Sequence, residues 1–395
     1  MQQEYVAIRN ALPTRPAPRP GNVPNVRSFE VDMGLEGVHI ERHTLNEAEK
    51  KEMQRDPQTQ LVSPALPMKL IEPTSRRDAQ PAGGTTAWGI EAVGADRALF
   101  DGDGVTVAVL DTGIDPDHPA FNGVELVRRN FTEESDDDEN GHGTHCAGTI
   151  FGRETNGARI GVAPGVNKAL IGKVLGAGGG SSAEIADAIQ WAVQEGAQVV
   201  SMSLGMDFPG YVDWLVNVQG LPVGAATSRA LEGYRETITL FNTLAQLVES
   251  QDPLGRGAVL VAASGNESNH PNFEIAAGLP AASGGILSVG ALGRSPDGHR
   301  VARFSNTQVD VSAPGVDILS AVPGGGLSEM DGTSMATPHV AGVAALWAQR
   351  QLQHTGSVNL SVLTAQIIAR AEVTSLAAPF EPADVGTGMV QAPLA

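Results

Sequence analysis

Val105-Thr-Val-Ala-Val-Leu110, followed by Asp111-Thr112-Gly113, is the stretch on which the fold turns. An unbroken apolar and β-branched run with no polar alternation reads as a strand covered on both faces, as in a parallel sheet. Similar runs recur at Gln198 to Met202, Val259 to Ala263, Ile286 to Val289 and Val309 to Ser312, with helical patterns between them. That alternation predicts an α/β protein with a doubly wound, mostly parallel sheet flanked by helices. Such sheets build their sites beyond the carboxyl ends of the strands, and Asp111 stands at one of those ends. Capping of the following turn suits Asp115 or Asp117 better than Asp111.

A carboxylate so placed invites a search for partners. Asn140-Gly141-His142-Gly143-Thr144-His145-Cys146-Ala147-Gly148 presents a histidine at the head of a small-residue helix, with glycines that let the backbone pass close to a neighbour. His142 and Cys146, four apart, share one face of that helix. His142 with His145 or Cys146 also offers metal ligands, but no third ligand of matching spacing follows. Gly332-Thr333-Ser334-Met335-Ala336-Thr337-Pro338-His339 opens the apolar helical run Val340 to Trp347. Ser334 reads either as a helix N-cap or as a nucleophile held where free N–H groups and the helix dipole converge. A serine nucleophile needs a base, and the base needs an orienting carboxylate; His142 and Asp111 can fill those roles.

The order Asp111, His142, Ser334, each in its own glycine-flanked motif, resembles the subtilisin-like serine proteases, the subtilases, from about Trp88 to the C-terminus. The resemblance implies that Ser334 is the nucleophile, His142 the general base and then acid, and Asp111 the group that fixes the histidine tautomer. Ala263-Ser264-Gly265-Asn266-Glu267, after the strand Ala258 to Ala262, is similar to the family's oxyanion segment, which makes Asn266 the side-chain donor. A turn asparagine is the plainer reading of Gly265-Asn266. Gly178, Gly179 and Gly180, with Ser203, Leu204 and Gly205, resemble the two edges that pair with an extended peptide substrate. Gly278 and Ala281 resemble the floor and wall of the pocket for the residue before the cut bond; with glycine at its base the pocket is expected to prefer large hydrophobic side chains. Chemistry of this kind requires no cofactor.

The first part of the chain has another character. Glu4 to Arg9 and Gly37 to Arg42 alternate like strands around the proline-rich connector Pro13 to Pro24, and Thr44-Leu-Asn-Glu47 reads as a capping box opening a helix from Ala48 to Arg55. Less specifically, this resembles the subtilase propeptide, with Gln60 to Ile71 as its last strand and tail; an unrelated accessory domain is the alternative. The expected organisation is a propeptide over residues 1–82, linker from about 72, and a catalytic domain over 83–395 with an insertion near 206–230 that either shapes the cleft or packs on itself. The resemblance implies polypeptide substrates, an autoprocessed monomeric precursor, and the chain's own propeptide as intramolecular inhibitor. A macrocyclase, or an inactive binding protein on the same fold, are the rival readings.

Composition is consistent with this. Over 395 residues the net charge is −19, which lacks the basic footprint of a nucleic-acid binder and disfavours anionic membranes. One cysteine rules out an intrachain disulfide. Met1 to Pro20 holds no apolar stretch of signal-peptide length, so the chain as encoded is expected to be cytoplasmic, with non-classical secretion or a trimmed leader as other routes. In the acidic run Glu133 to Glu139, the residues Glu134, Asp136 and Asp138 offer oxygen ligands for a structural Ca²⁺. The family's strong calcium site is expected to be missing, since alanine stands at Ala120 and the loop Arg153 to Arg159 carries two arginines.

Overall fold

The structure, a computed structural model, describes residues 2–10, 38–252 and 255–394. The connector Pro13 to Pro24 lies outside the described residues. The chain divides into two units, Met1–Ala65 and Leu66–Ala395. The division falls after residue 65 because strands from residue 67 onward already pair within the second unit's sheets.

In the first unit β1 (Gln3–Asn10) lies between β2 (Val38–Leu45) and β3 (Thr59–Pro64), both antiparallel to it. Helix α1 (Glu47–Arg55) follows β2, and a small core forms from Tyr5, Ala7 and Val62 with Leu45 and Met53 against it. The capping box is not the expected one. Asn46 accepts from the Ala48 and Glu49 N–H groups, and the Glu49 carboxylate accepts from the Asn46 N–H at 2.7 Å. Thr44 is still paired with Glu4 in the sheet, so it cannot also turn the chain into a helix.

The second unit opens with β4 (Pro67–Leu70), β5 (Ser75–Ala79), β6 (Thr85–Thr86) and helix α2 (Trp88–Ala92). The main sheet then begins with β7 (Thr106–Asp111) and β8 (Glu125–Asn130), followed by α3 (His142–Phe151), the short β9 (Ala158–Arg159) on β6, and β10 (Lys168–Lys173). After β11 (Gly180–Ser181) and α4 (Ser182–Gln194) come β12 (Val199–Met202) and β13 (Leu204–Met206). The insertion forms α5 (Phe208–Asn217) and the first turns of α6 (Val223–Ser250). Phe208 meets Tyr234 edge-on at 5.7 Å, so α5 packs on α6 through their own aromatics.

The remaining elements are β14 (Val259–Ala263), β15 (Ile286–Ser295), β16 (Gly298–Val301), β17 (Val311–Pro314), the hairpin β18 (Ile318–Val322) and β19 (Gly326–Asp331), and helices α7 (Thr333–Thr355), α8 (Leu360–Arg370) and α9 (Pro382–Val385). The main sheet has the order β16-β15-β14-β12-β7-β10-β8, with β17 also on β15. Every pair in it is parallel except β15 with β16. The run at Ile286 therefore continues past Val289 and turns back as an antiparallel edge. Strand β7 is buried from Val107 to Asp111, as its apolar run requires, and sits in the middle of the order with β12 and β10 beside it. Helix α7, buried almost without break from Thr333 to Ala348, packs against α3 and the sheet and brings Ser334 to the carboxyl side of β7.

Candidate active site

Asp111 ends β7, His142 opens α3 and Ser334 lies in the first turn of α7; all three are buried. Glycine is required where these elements meet. Gly141 caps α3 with φ +89°, and a Cβ on Gly143 would stand 2.2 Å from the Gly113 carbonyl oxygen. The close backbone approach lets His142 Nδ1 reach Asp111 Oδ1 at 2.8 Å. That carboxylate oxygen also accepts from the Thr112 N–H at 2.7 Å, so Asp111 is fixed before it fixes the imidazole. Ser334 is not an N-cap. Gly332 occupies that position, and the Ser334 hydroxyl is free to point outward from the helix.

It points at the chain itself. Ser334 Oγ donates to the Ile71 carbonyl at 2.9 Å, and the His142 Nε2 atom has no hydrogen-bond partner among the described residues. The serine–histidine bond expected of a triad is thus not made here, because an extended segment fills the cleft and takes the hydroxyl. Cys146 lies between the two, with its thiol 3.8 Å from His142 Nδ1 and donating to the Ser334 carbonyl at 3.4 Å. Burial pushes the Cys146 thiol above its ordinary range, which suits a packing group and not a reactive thiolate.

Burial opposes a charge on His142, but the Asp111 carboxylate and the adjacent thiol outweigh it and hold the imidazole well above the usual histidine range. His145 goes the other way. Burial, and then His142 beside it, press it down to about 3, and its Nε2 faces the carbonyls of Ile318 at 2.9 Å and Ser328 at 3.2 Å. It serves as a neutral peg. The ligand atoms of Asp111, His142 and Cys146 lie within 4.8 Å of one another, with His142 Nδ1 hydrogen-bonded to Asp111 and His145 Nε2 turned to backbone carbonyls.

Asn266 Nδ2 donates to the Glu72 carbonyl at 2.9 Å, one residue beyond the carbonyl that Ser334 engages. Its Oδ1 accepts from the Thr333 N–H at 2.9 Å and the Thr333 hydroxyl at 3.0 Å. Those two donors set which way the amide faces. Sequence reasoning missed Thr333, although its place next to Ser334 was the available signal.

The cleft segment lies as an extended strand. Leu70, Lys69 and Met68 of β4 pair antiparallel with Leu204, Gly205 and Met206 of β13, and Met68 and Pro67 pair with Gly180 and Ser181 of β11. Gly179 runs at φ +85° with a would-be Cβ 2.5 Å from the Met68 carbonyl, while Gly178 lines the same cleft without touching it. The Ser203 hydroxyl is turned inward and donates to the Ser334 carbonyl at 3.1 Å. The Ile71 side chain, 5% exposed, lies over Gly205. Gly278 leaves open space at its Cα, Ala281 is buried, and between them the Leu279 carbonyl accepts from the Met206 N–H at 3.0 Å. Lys69 reaches Asp207, the N-cap of α5, at 3.1 Å, so the insertion does touch the cleft.

In the acidic run each of the three candidate carboxylates accepts from protein donors. Asp138, 5% exposed, accepts from the Thr112 hydroxyl and the Gly141 N–H at 2.8 Å through Oδ1, and from the Thr144 N–H at 2.8 Å and hydroxyl at 2.6 Å through Oδ2. Glu134 accepts from the Ala177 N–H and Asp136 from Asn130. A buried carboxylate surrounded by donors is a structural knot: Asp138 ties the loop after Asp111 to the start of α3. In the loop Arg153 to Arg159, Arg153 donates to the Val166 carbonyl at 3.2 Å and Arg159 to the Ala95 carbonyl at 2.9 Å.

The Subtilase family model matches residues 102–383. The chain belongs to the subtilase family of serine proteases. Relatives of this subtilase include the intracellular serine protease of Paenibacillus polymyxa, 36% identical over 63% of this chain and 68% of that protein. The thermophilic serine proteinase of Bacillus sp. (strain AK1) is 37% identical over 62% of this chain and 53% of its own length, and Subtilisin Savinase of Lederbergia lenta is 36% identical over 67% and 84%. The chain thus spans only about half of the thermophilic enzyme. The family is one of serine endopeptidases, and Ser334, His142, Asp111 and Asn266 of this chain stand at the cleft. No helix among the described residues is long and apolar enough to cross a membrane.

Proposed function

We propose that this subtilase is made as a monomeric precursor that cuts itself, and that the mature enzyme hydrolyses polypeptides after large hydrophobic residues. One observation carries the reading: the segment Pro67 to Glu72 is paired as a substrate on both cleft edges while Ser334 and Asn266 engage the consecutive carbonyls of Ile71 and Glu72. Nucleophile and oxyanion donor thus address different peptide groups. A shift of the segment by one residue is needed before both act on one bond, so the tail inhibits until it is cut or displaced.

In the productive register Ser334 Oγ attacks the carbonyl carbon and gives its proton to His142 Nε2. The oxyanion is met by Asn266 Nδ2 and the Ser334 N–H. Collapse breaks the C–N bond as His142 returns the proton to the leaving amine, and water then resolves the acyl-enzyme by the same route. The fit of Ile71 over Gly205, next to the open space at Gly278, supports an apolar side chain before the cut. Intact-mass analysis of wild type and Ser334→Ala tests the precursor reading. Wild type should yield a shorter catalytic fragment and the variant should stay full-length; equal masses would overturn self-cleavage. A peptide-library profile peaking at Arg or Asp before the cut would overturn the hydrophobic preference.

A further inference from the structure

Beyond the cleft the chain does something the catalytic reading does not require. Strand β5 lies antiparallel on β19, from Ser75 against Asp331 to Ala79 against Leu327, and the Thr74 N–H already donates to the Asp331 carbonyl at 2.8 Å. In the sheet order β18-β19-β5, removal of β5 turns β19 into an edge with a row of free main-chain groups. The composition Ser-Arg-Arg-Asp-Ala has neither apolar alternation nor β-branched enrichment, and Arg76, Arg77 and Asp78 are exposed. The strand is therefore imposed by its seat and not by its own propensity.

The seat also has a charge. Arg77 pairs with Asp317, and its guanidinium lies 3.6 Å from Glu329 on β19, while Arg76 donates to the Asn140 carbonyl at 3.0 Å beside the His142 loop. The Ser328 hydroxyl donates to the Arg77 carbonyl at 2.8 Å, a further contact that any residue at that place can accept. Main-chain pairing with an acidic flank is the arrangement by which an extended peptide is held at a sheet edge and a basic side chain selected.

We propose that the β19 edge is a substrate-binding site for the chain downstream of the cut bond, that a substrate strand takes the place of β5 there, and that Asp317 and Glu329 favour Arg or Lys about five residues after the cut. This rests on the protease reading and names the substrate class for the same site: extended or unfolded polypeptides with a basic downstream flank.

Processed enzyme and three synthetic peptides test it. They share one apolar residue before the cut; one ends two residues after it, and two run about eight residues beyond, with Arg or Glu at the position of Arg77. The long Arg peptide should exceed the short one about tenfold in kcat/KM and the Glu peptide about two- to fivefold, the size an exposed ion pair supports. Asp317→Asn with Glu329→Gln should erase the Arg-over-Glu ratio while the advantage of length remains. Equal kcat/KM for all three peptides would overturn the site. A ratio that persists in the double variant would overturn the role of the two carboxylates. No hydrolysis of any of the three peptides would sink the protease reading instead, so the two failures are distinguishable.

Discussion

Replacing Asp138 by alanine removes the acceptor for two buried backbone N–H groups, those of Gly141 and Thr144, and for two hydroxyls. The hydroxyls can turn to other acceptors, but the N–H groups cannot. Each orphaned buried donor costs about 1–3 kcal/mol, so the loss is about 2–6 kcal/mol. Asp138→Asn keeps the shape but replaces one oxygen by an NH₂ that must face one of the two N–H groups, a loss of about 1–3 kcal/mol. Urea unfolding in a Ser334→Ala background, where self-digestion cannot interfere, measures both. The expected order is parent, then Asn, then Ala. The same knot holds Thr112, whose hydroxyl accepts from the Gly143 N–H at 2.9 Å and whose N–H donates to Asp111. In active enzyme the Ala variant should therefore lose kcat as well as stability. Unfolding midpoints equal to the parent, with a new sensitivity to chelator in the parent alone, would refute the knot and restore the reading of Asp138 as a metal ligand.

Other outcomes follow from the same geometry. Ser334→Ala or His142→Ala should lower kcat by about a million-fold, the loss known for the type enzyme of this family. Asn266→Ala should cost about 10²–10³ in kcat with little change in KM, again as in the type enzyme, and an unchanged kcat would remove Asn266 from the oxyanion site. The precursor's stability should depend on pH through three histidines. His145 and His339, buried neutral and depressed to about 3 and about 4, contribute fully above pH 6.5 and lose that contribution as pH falls toward those values, several kcal/mol in all. His142, raised, contributes fully below pH 6.5 and loses its contribution as pH climbs through its own value. Unfolding of Ser334→Ala across pH should accordingly be hardest near 6.5, and a monotonic rise from pH 4 to 9 would contradict these assignments. Activity of the processed enzyme should instead keep rising above pH 6.5, because the base must be neutral; a rate flat from pH 5 to 9 would exclude a histidine base.

Much of the fold was legible because one physical rule dominates it. A strand buried on both faces needs a continuous apolar run; β14 and the body of β7 have one, and β12 breaks it only at Ser201. The antiparallel turn from β15 into β16 was not legible, since Gly293-Arg-Ser-Pro-Asp-Gly298 carries turn residues but no sign of which sheet they return to. The site residues stood out because each lies in a glycine-bounded motif where backbones must touch, as Gly143 against Gly113 illustrates. What escaped was anything set by distant pairing. Strand β5 looks like a linker until β19 is beside it, and Asp138 looks like one more solvated acid until Thr112 and Thr144 are seen around it. The capping pattern fits Thr44 and Asn46 alike, and only the length of β2 decides between them.

On the proposed function, Ser334 becomes a nucleophile once the cleft segment no longer covers it. Mass-spectrometric mapping of a phosphonate or sulfonyl fluoride adduct on processed enzyme and on a precursor that still holds the segment tests this most directly. The processed enzyme should carry one adduct, on Ser334, in proportion to activity lost, and the precursor should label far more slowly. Inactivation without modification of Ser334, or an adduct mapped to another residue, would contradict the account.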